Sequence, residues 1–212
     1  MGGRKLEGFT LIEMLVTIFV LSIVLTMGVP SFQEFTQNNR MASGVNDLVS
    51  TLYAARTEAV KRKSFTGPNA AVSVCASTDW NTATPSCASP GDLRDGWITF
   101  VDLDGDATVD GGEDIIAAHG PMPDGIELQA LDLNDNAVAK QFFSYGPTGF
   151  LRQAGGSESI GNVQLCDARG DKDVGGGTAA GRFVLILPTG RPQIYRMRED
   201  VQNDTLNPIG GC

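Results

Sequence analysis

The densest run of side-chain oxygens in this 212-residue chain lies at Asp102, Asp104, Asp106, Asp110 and Glu113. They fall at positions 1, 3, 5, 9 and 12 of the stretch 102–113. That is the ligand spacing of an EF-hand loop, in which hard carboxylate oxygens surround a calcium ion. Ala107 stands where such a loop wants glycine for its sharp turn, and the flanking segments read as strands rather than helices. Calcium is therefore one expectation, as a stabilising ion rather than a reactant, and an acidic hairpin loop is the other. The only histidine is His119, which excludes a multi-histidine metal site and would leave a Ser-His-Asp hydrolase resting on one ring. No serine sits in a nucleophile-elbow context. No nucleophile and base come together, so we expect no enzyme, no catalytic residue and no cofactor beyond the candidate calcium.

Two further groups could do chemistry. Cys75, Cys87, Cys166 and Cys212 are even in number and contain no CxxC pair, which points to two disulfides in an oxidising compartment rather than to zinc or redox chemistry. Sequence alone leaves three connectivities open. Near the C-terminus, Arg182, Arg191, Arg196 and Arg198 occur with no acidic residue before Glu199. Such a strip could contact nucleic-acid phosphates, or could be a solvated strand edge protected by charge. The whole chain opposes a polyanion, since 16 basic against 25 acidic side chains leave a net charge of −9. With 42% hydrophobic residues, the chain has material for a core and is not a disordered acidic segment.

The elements that carry these groups begin with a polar leader, residues 1–8, containing Arg4 and Lys5. Residues 9–29 then run apolar with one charge, Glu13. At 1.5 Å per residue this run makes a helix of about 31 Å, enough to cross a bilayer core. The preceding basic residues place the leader in the cytoplasm and the rest outside. A secretory signal would have a shorter apolar region ending at a small-residue cleavage site. A carboxylate inside the apolar run costs roughly 2.5–3.5 kcal/mol on insertion and needs a partner.

Gly8, Phe9 and Glu13 in the sequence GFTLIE resemble the processing and assembly motif of type IV pilins and pseudopilins. The resemblance implies that prepilin peptidase cuts between Gly8 and Phe9, that the new N-terminus is methylated, and that Glu13 neutralises the Phe9 amine of a neighbouring subunit. Pro30 matches a helix-kinking proline found in many pilins. Loss of the leader would take the net charge to −10, because Arg4, Lys5 and Glu7 go with it.

Beyond Pro30, the residues Met41, Val45, Leu48, Leu52, Ala55 and Ala59 recur in steps of four and three, one apolar stripe suited to lie against a sheet. We expect one helix over 9–63, kinked near Pro30, with basic residues at its end and a stop at Gly67-Pro68. From residue 70 the period changes to two, predicting strands at 71–76, 97–103, 115–119, 126–131, 140–145, 162–166, 182–187 and 193–197. The fold class is α+β, a long transmembrane helix packed on an antiparallel sheet or sandwich. The expected divisions are the leader 1–8, a transmembrane and assembly helix 9–29, an amphipathic stem 30–63 and a β-rich head 64–212.

The head is similar to the FimT/GspH family of minor pilins and H-type pseudopilins. The matching residues are Ala55-Arg56-Thr57-Glu58-Ala59, Val74-Cys75, Gly96-Trp97 leading to Phe100 and Asp102, Phe143 with Gly149, Leu165-Cys166-Asp167 with Gly170, and Gly190-Arg191. The resemblance implies Cys75 paired with Cys87 and Cys166 with Cys212. Some FimT-type pilins capture DNA through a GRxR motif; here Gly190-Arg191-Pro192-Gln193 keeps the first arginine and lacks the second. The implied function is a structural subunit of a type IV pilus or type II secretion pseudopilus, with DNA capture in natural transformation as the alternative. The implied partners are other pilins or pseudopilins, the inner-membrane assembly platform, prepilin peptidase, lipid before assembly and, in the alternative, DNA. The implied location is the bacterial inner membrane, with the N-terminus cytoplasmic and the head periplasmic.

Overall fold

The computed structural model describes residues 8–62, 67 and 69–212. Arg4 and Lys5 of the expected leader, Lys63 of the expected helix end and Pro68 of the expected stop lie outside the described residues. The chain forms two compact units, Met1–Asn39 and Arg40–Cys212, and helix α1 (Leu11–Lys61) contributes to both.

In the first unit, α1 starts at Leu11 because Thr10 caps it. The Thr10 hydroxyl accepts from the Glu13 amide at 3.2 Å, and the Glu13 carboxylate accepts from the Thr10 amide at 3.4 Å. This is a reciprocal capping box, satisfying two amides the helix leaves over. Hydroxyls along the apolar stretch are satisfied within the helix: Ser22 donates to the Phe19 carbonyl and Thr26 to the Ser22 carbonyl, each at 2.7 Å. Backbone and hydroxyls so paired suit a medium without water. The helix continues through Pro30 and is long and apolar enough to cross a membrane.

In the second unit, α1 buries Met41, Gly44, Val45, Leu48, Val49, Leu52, Ala55 and Ala59, which includes every residue of the expected stripe. Gly44 allows close approach, since a Cβ there would stand 3.1 Å from Ile126 Cδ1. The stripe packs into one core with two antiparallel four-stranded sheets. The first sheet has the order β3-β2-β1-β5, with β1 at Ala71–Ala76, β2 at Trp97–Asp102, β3 at Ile115–His119 and β5 at Phe142–Tyr145. The second has the order β4-β6-β7-β8, with β4 at Glu127–Asp132, β6 at Ile160–Cys166, β7 at Thr178–Ile186 and β8 at Pro192–Met197.

All eight expected strands form; β1 and β3 keep the expected bounds and the other six shift at one or both ends. Strand β5 starts at Phe142; ahead of it the Gln141 side chain accepts from the Leu93 amide at 3.0 Å and Lys140 donates to the Thr108 hydroxyl at 3.0 Å. Strand β7 starts four residues early, and its register with β8 slips between Thr178↔Met197 and Phe183↔Tyr195. Strands β1, β2 and β5 are buried along their whole length because they are covered on both faces. Val72, Val74 and Phe143 join the core with α1, while Cys75, Ile98, Phe100 and Phe142 pack under Ala107 and Ala154. A short helix, α2 (Arg198–Val201), follows β8; Val201 packs with Ala179 and Phe183.

Candidate functional site

Gly8 and Phe9 are exposed, just ahead of the Thr10 cap. A Cβ at Gly8 would meet nothing within 4 Å, so packing within the chain places no demand for glycine there. Glu13 is exposed on the first turn of α1, its carboxylate on the Thr10 amide. Around it stand exposed Leu11, Ile12, Met14, Leu15 and Val16, so a carboxylate projects from an apolar surface.

The acidic stretch is organised by Asp102, which is fully buried at the end of β2. Its Oδ1 accepts from the amides of Gly105 at 2.6 Å and Asp106 at 3.2 Å; its Oδ2 accepts from the Ala107 amide at 3.0 Å and the Ser73 hydroxyl at 2.7 Å. A carboxylate offers about four lone-pair positions, and all are engaged. Burial raises the Asp102 pKa against the opposing pull of these hydrogen bonds. Glu113 closes the loop's other side, accepting from the Leu103 amide at 2.7 Å and the Asp110 amide at 2.9 Å. Its pKa is likewise raised, first by burial and then by the charges of Asp102 and Asp104 against those hydrogen bonds. Asp102, Asp104 and Asp106 bring carboxylate oxygens within 4.8 Å of one another. Ala107 takes φ 58°, the left-handed conformation that glycine would take in the calcium loop.

The four arginines do not form one strip. Arg182 faces inward on β7 and is only 8% exposed, its Nη1 donating to the carbonyls of Ala179, Ala180 at 3.2 Å and Gly181 at 2.8 Å. Those carbonyls belong to the slipped register of β7, which the guanidinium ties together. Arg191 precedes β8, Arg196 lies within it and Arg198 opens α2, all exposed. Seven residues of extended chain put Arg191 and Arg198 about 23 Å apart. Arg196 lines a cleft with Arg182, whereas Tyr195, whose hydroxyl donates to Gln193 at 2.9 Å, stacks on Phe183 on the other face of the sheet.

The disulfides join Cys75 to Cys87 and Cys166 to Cys212. The first ties β1 to the loop that covers it. The second holds the C-terminus to β6, where the Cys212 amide also donates to Asp171 at 2.8 Å. His119 stacks on Trp97 with ring centroids 4.1 Å apart, and its Nε2 stands 3.8 Å from the Asp47 carboxylate. Its Nδ1 lies 2.7 Å from the Gly120 carbonyl. The Trp97 indole donates to Thr51 at 3.1 Å, so Asp47, Thr51, Trp97 and His119 bind α1 to the first sheet. Sequence reading missed this cluster, because Asp47 and Thr51 look like ordinary polar positions beside the apolar stripe.

No curated protein and no solved structure matches the chain at significant similarity. Residues 4–29 match the prokaryotic N-terminal methylation motif. Residues 44–190, well over half of the chain, match the model of type II transport protein GspH. That match runs from the packed part of α1 to the turn before β8 and so takes in the α1 stripe from Val45 onward and seven of the eight strands. A prepilin-like N-terminal helix and an α+β head under both matches mean that the chain belongs to the GspH family and is a pilin-like pseudopilin.

Proposed function

We propose that the chain is a structural subunit of a filament rooted in the bacterial inner membrane, either a type II secretion pseudopilus or a type IV pilus. Cleavage between Gly8 and Phe9 frees the Phe9 amine, and Glu13 of one subunit neutralises that amine on its neighbour inside the apolar filament core. The observation that carries this reading is Glu13 itself, a carboxylate on an otherwise apolar exposed helix that is stable only in lipid or against other such helices. The capping box gives Glu13 a role in the free subunit, and a neighbouring amine, being charged, is the stronger partner. The head stays on the periplasmic side, where its disulfides form. We assign it no catalysis.

The test is fractionation of the full chain from native membranes, with the mass of its N-terminus and crosslinked partners identified. The expected form starts at Phe9 and travels with other pilins or pseudopilins. Glu13→Ala should be cut normally yet stay in the membrane. A chain that keeps residues 1–8 and meets no pilin-like partner would overturn the reading. Which partners are recovered assigns the chain to secretion or to a pilus.

A second reading, DNA capture, rests on the exposed Arg191, Arg196 and Arg198. Reversing the charge of Arg191 and Arg198 should abolish DNA uptake and spare assembly if it holds. For the acidic loop we favour a self-held hairpin over a calcium site, because Asp102 has no acceptor position to spare. Calcium should leave the thermal midpoint of the full chain unchanged; an increase would restore the ion.

A further inference from the structure

We propose that the cleft between α1 and strand β8 receives a carboxylate side chain from a neighbouring filament subunit, held by Arg182 and Arg196. The inference rests on the filament reading and names the chemistry of one subunit contact. The cleft has a volume of about 310 Å³ and is lined by Ala42, Val45 and Asn46 of α1, Arg182 of β7, and Ile194 and Arg196 of β8.

Arg182 is more than nine-tenths buried, and among the described residues it meets no carboxylate within ion-pair distance. The head treats its other buried arginine differently: Arg169 sits 2.5 Å from Asp167, with both side chains 9% exposed. A buried charge with no counter-charge in contact is unfavourable, and the second cation of the cleft, Arg196, adds repulsion. Burial first, and then Arg196 and Arg169, lower the Arg182 pKa, and the more distant Asp167 only partly opposes them. The carbonyls of residues 179–181 use only Nη1, so Nε and Nη2 keep donors for an incoming group. Two guanidinium groups and the Asn46 amide on one cleft are suited to a carboxylate, which arginine binds in a two-pronged manner.

The walls select the occupant. Ala42, Val45 and Ile194 offer an apolar lining to the aliphatic stem of an acidic side chain. A phosphodiester backbone tracks an exposed basic surface, whereas Arg182 is buried in the wall of the cleft and is reached by insertion.

The test places a photo-crosslinking residue at Ala42 of the full chain in native membranes and a second, separately, at Phe19 in the apolar stretch. Capture at Phe19 reads filament contact; capture at Ala42 reads the cleft. We expect the Ala42 crosslink to map to a subunit peptide bearing Asp or Glu. Arg196→Glu should lower its yield about tenfold, the scale of a lost interfacial charge pair, and Lys in place of that acidic residue should restore it. The Phe19 crosslink should be unchanged throughout. Exposed Arg196 carries the charge reversal because a change at buried Arg182 would disturb folding. An Ala42 crosslink to nucleic acid, to a peptide without a carboxylate, or with a yield indifferent to Arg196→Glu would overturn the proposal. So would its absence while Phe19 still captures pilin-like partners. Loss of capture at both positions in the unmodified background would remove the filament reading as well.

Discussion

Along α1, large apolar side chains between residues 11 and 35 are exposed, from Leu11 at 82% to Ile23 at 44%, whereas Met41, Val45, Leu48, Leu52, Ala55 and Ala59 are at most 2% exposed. Both halves are helical, and the difference lies in side-chain distribution. The first half is apolar on every face, as a helix surrounded by lipid or by like helices must be. The second half confines its apolar residues to one stripe and gives water the rest. One helix thus carries a half whose partner is outside the chain and a half whose partner is the head.

The largest effect should come from Leu48→Ala, which opens a cavity between α1 and the sheets and should cost the head about 2–5 kcal/mol in denaturant unfolding of the full chain in detergent. The matching change Leu15→Ala, at an exposed site, should shift head unfolding by no more than about 0.5 kcal/mol. Equal effects would mean that the halves unfold as one body and would break the comparison.

Opening the Cys166–Cys212 bridge by a paired change to serine should cost about 2–4 kcal/mol. Opening Cys75–Cys87 should cost about 1 kcal/mol less, because it closes a chain separation of 12 rather than 46. Both are read as shifts in the denaturation midpoint of the head.

Glycines sharpen the contrast further. Gly44→Val forces a side chain against Ile126 and should cost about 1–3 kcal/mol. Gly28 has nothing within 4 Å, so Gly28→Val should leave the head midpoint where it is. A shift at Gly28 equal to that at Gly44 would show that the apolar half contributes to head stability.

The smallest effect is a pH dependence confined to the head. Asp102 and Glu113 have raised pKa values, so the folded state holds their protons more tightly than the unfolded chain does. Their favourable contribution is full below the ordinary values of 3.8 and 4.5 and is lost as pH rises through the raised ones. Asp79 and Asp132 have lowered values; for Asp79 the Ser86 amide is the main cause, and for Asp132 the amides of Asn136 and Asn134 outweigh burial. Their contribution is lost only as pH falls below 3.8. Acidification from pH 7 toward the ordinary carboxylate range should therefore raise the head's midpoint slightly, and the increase should shrink in Glu113→Gln. A midpoint that falls over that range would contradict the burial of Asp102.

Much of this was legible in the chain because it is written in local periods. The three-and-four spacing from Met41 to Ala59 specified the buried face of α1, and alternation located all eight strands. Gly44 escaped the stripe because its burial depends on the opposing Ile126, and Val49 because its burial depends on the packing of the whole core. Carboxylate spacing drew attention to residues 102–113, but the engagement of Asp102 by Ser73 and three loop amides requires β1 to lie beside β2. The arginines looked like a single group because spacing cannot show which side of a slipped strand a guanidinium takes.

The sequence by itself determined the secondary-structure periods, the apolar N-terminal run with its one carboxylate, and the even cysteine set, because each depends on residue type and separation alone. Tertiary structure alone decided that strands β1, β2 and β5 are covered on both faces, that Asp102 serves its own loop, and that Arg182 and Arg196 share a cleft with α1. Those outcomes depend on which strands become neighbours, and neighbours distant in sequence are chosen by the packing of the whole head.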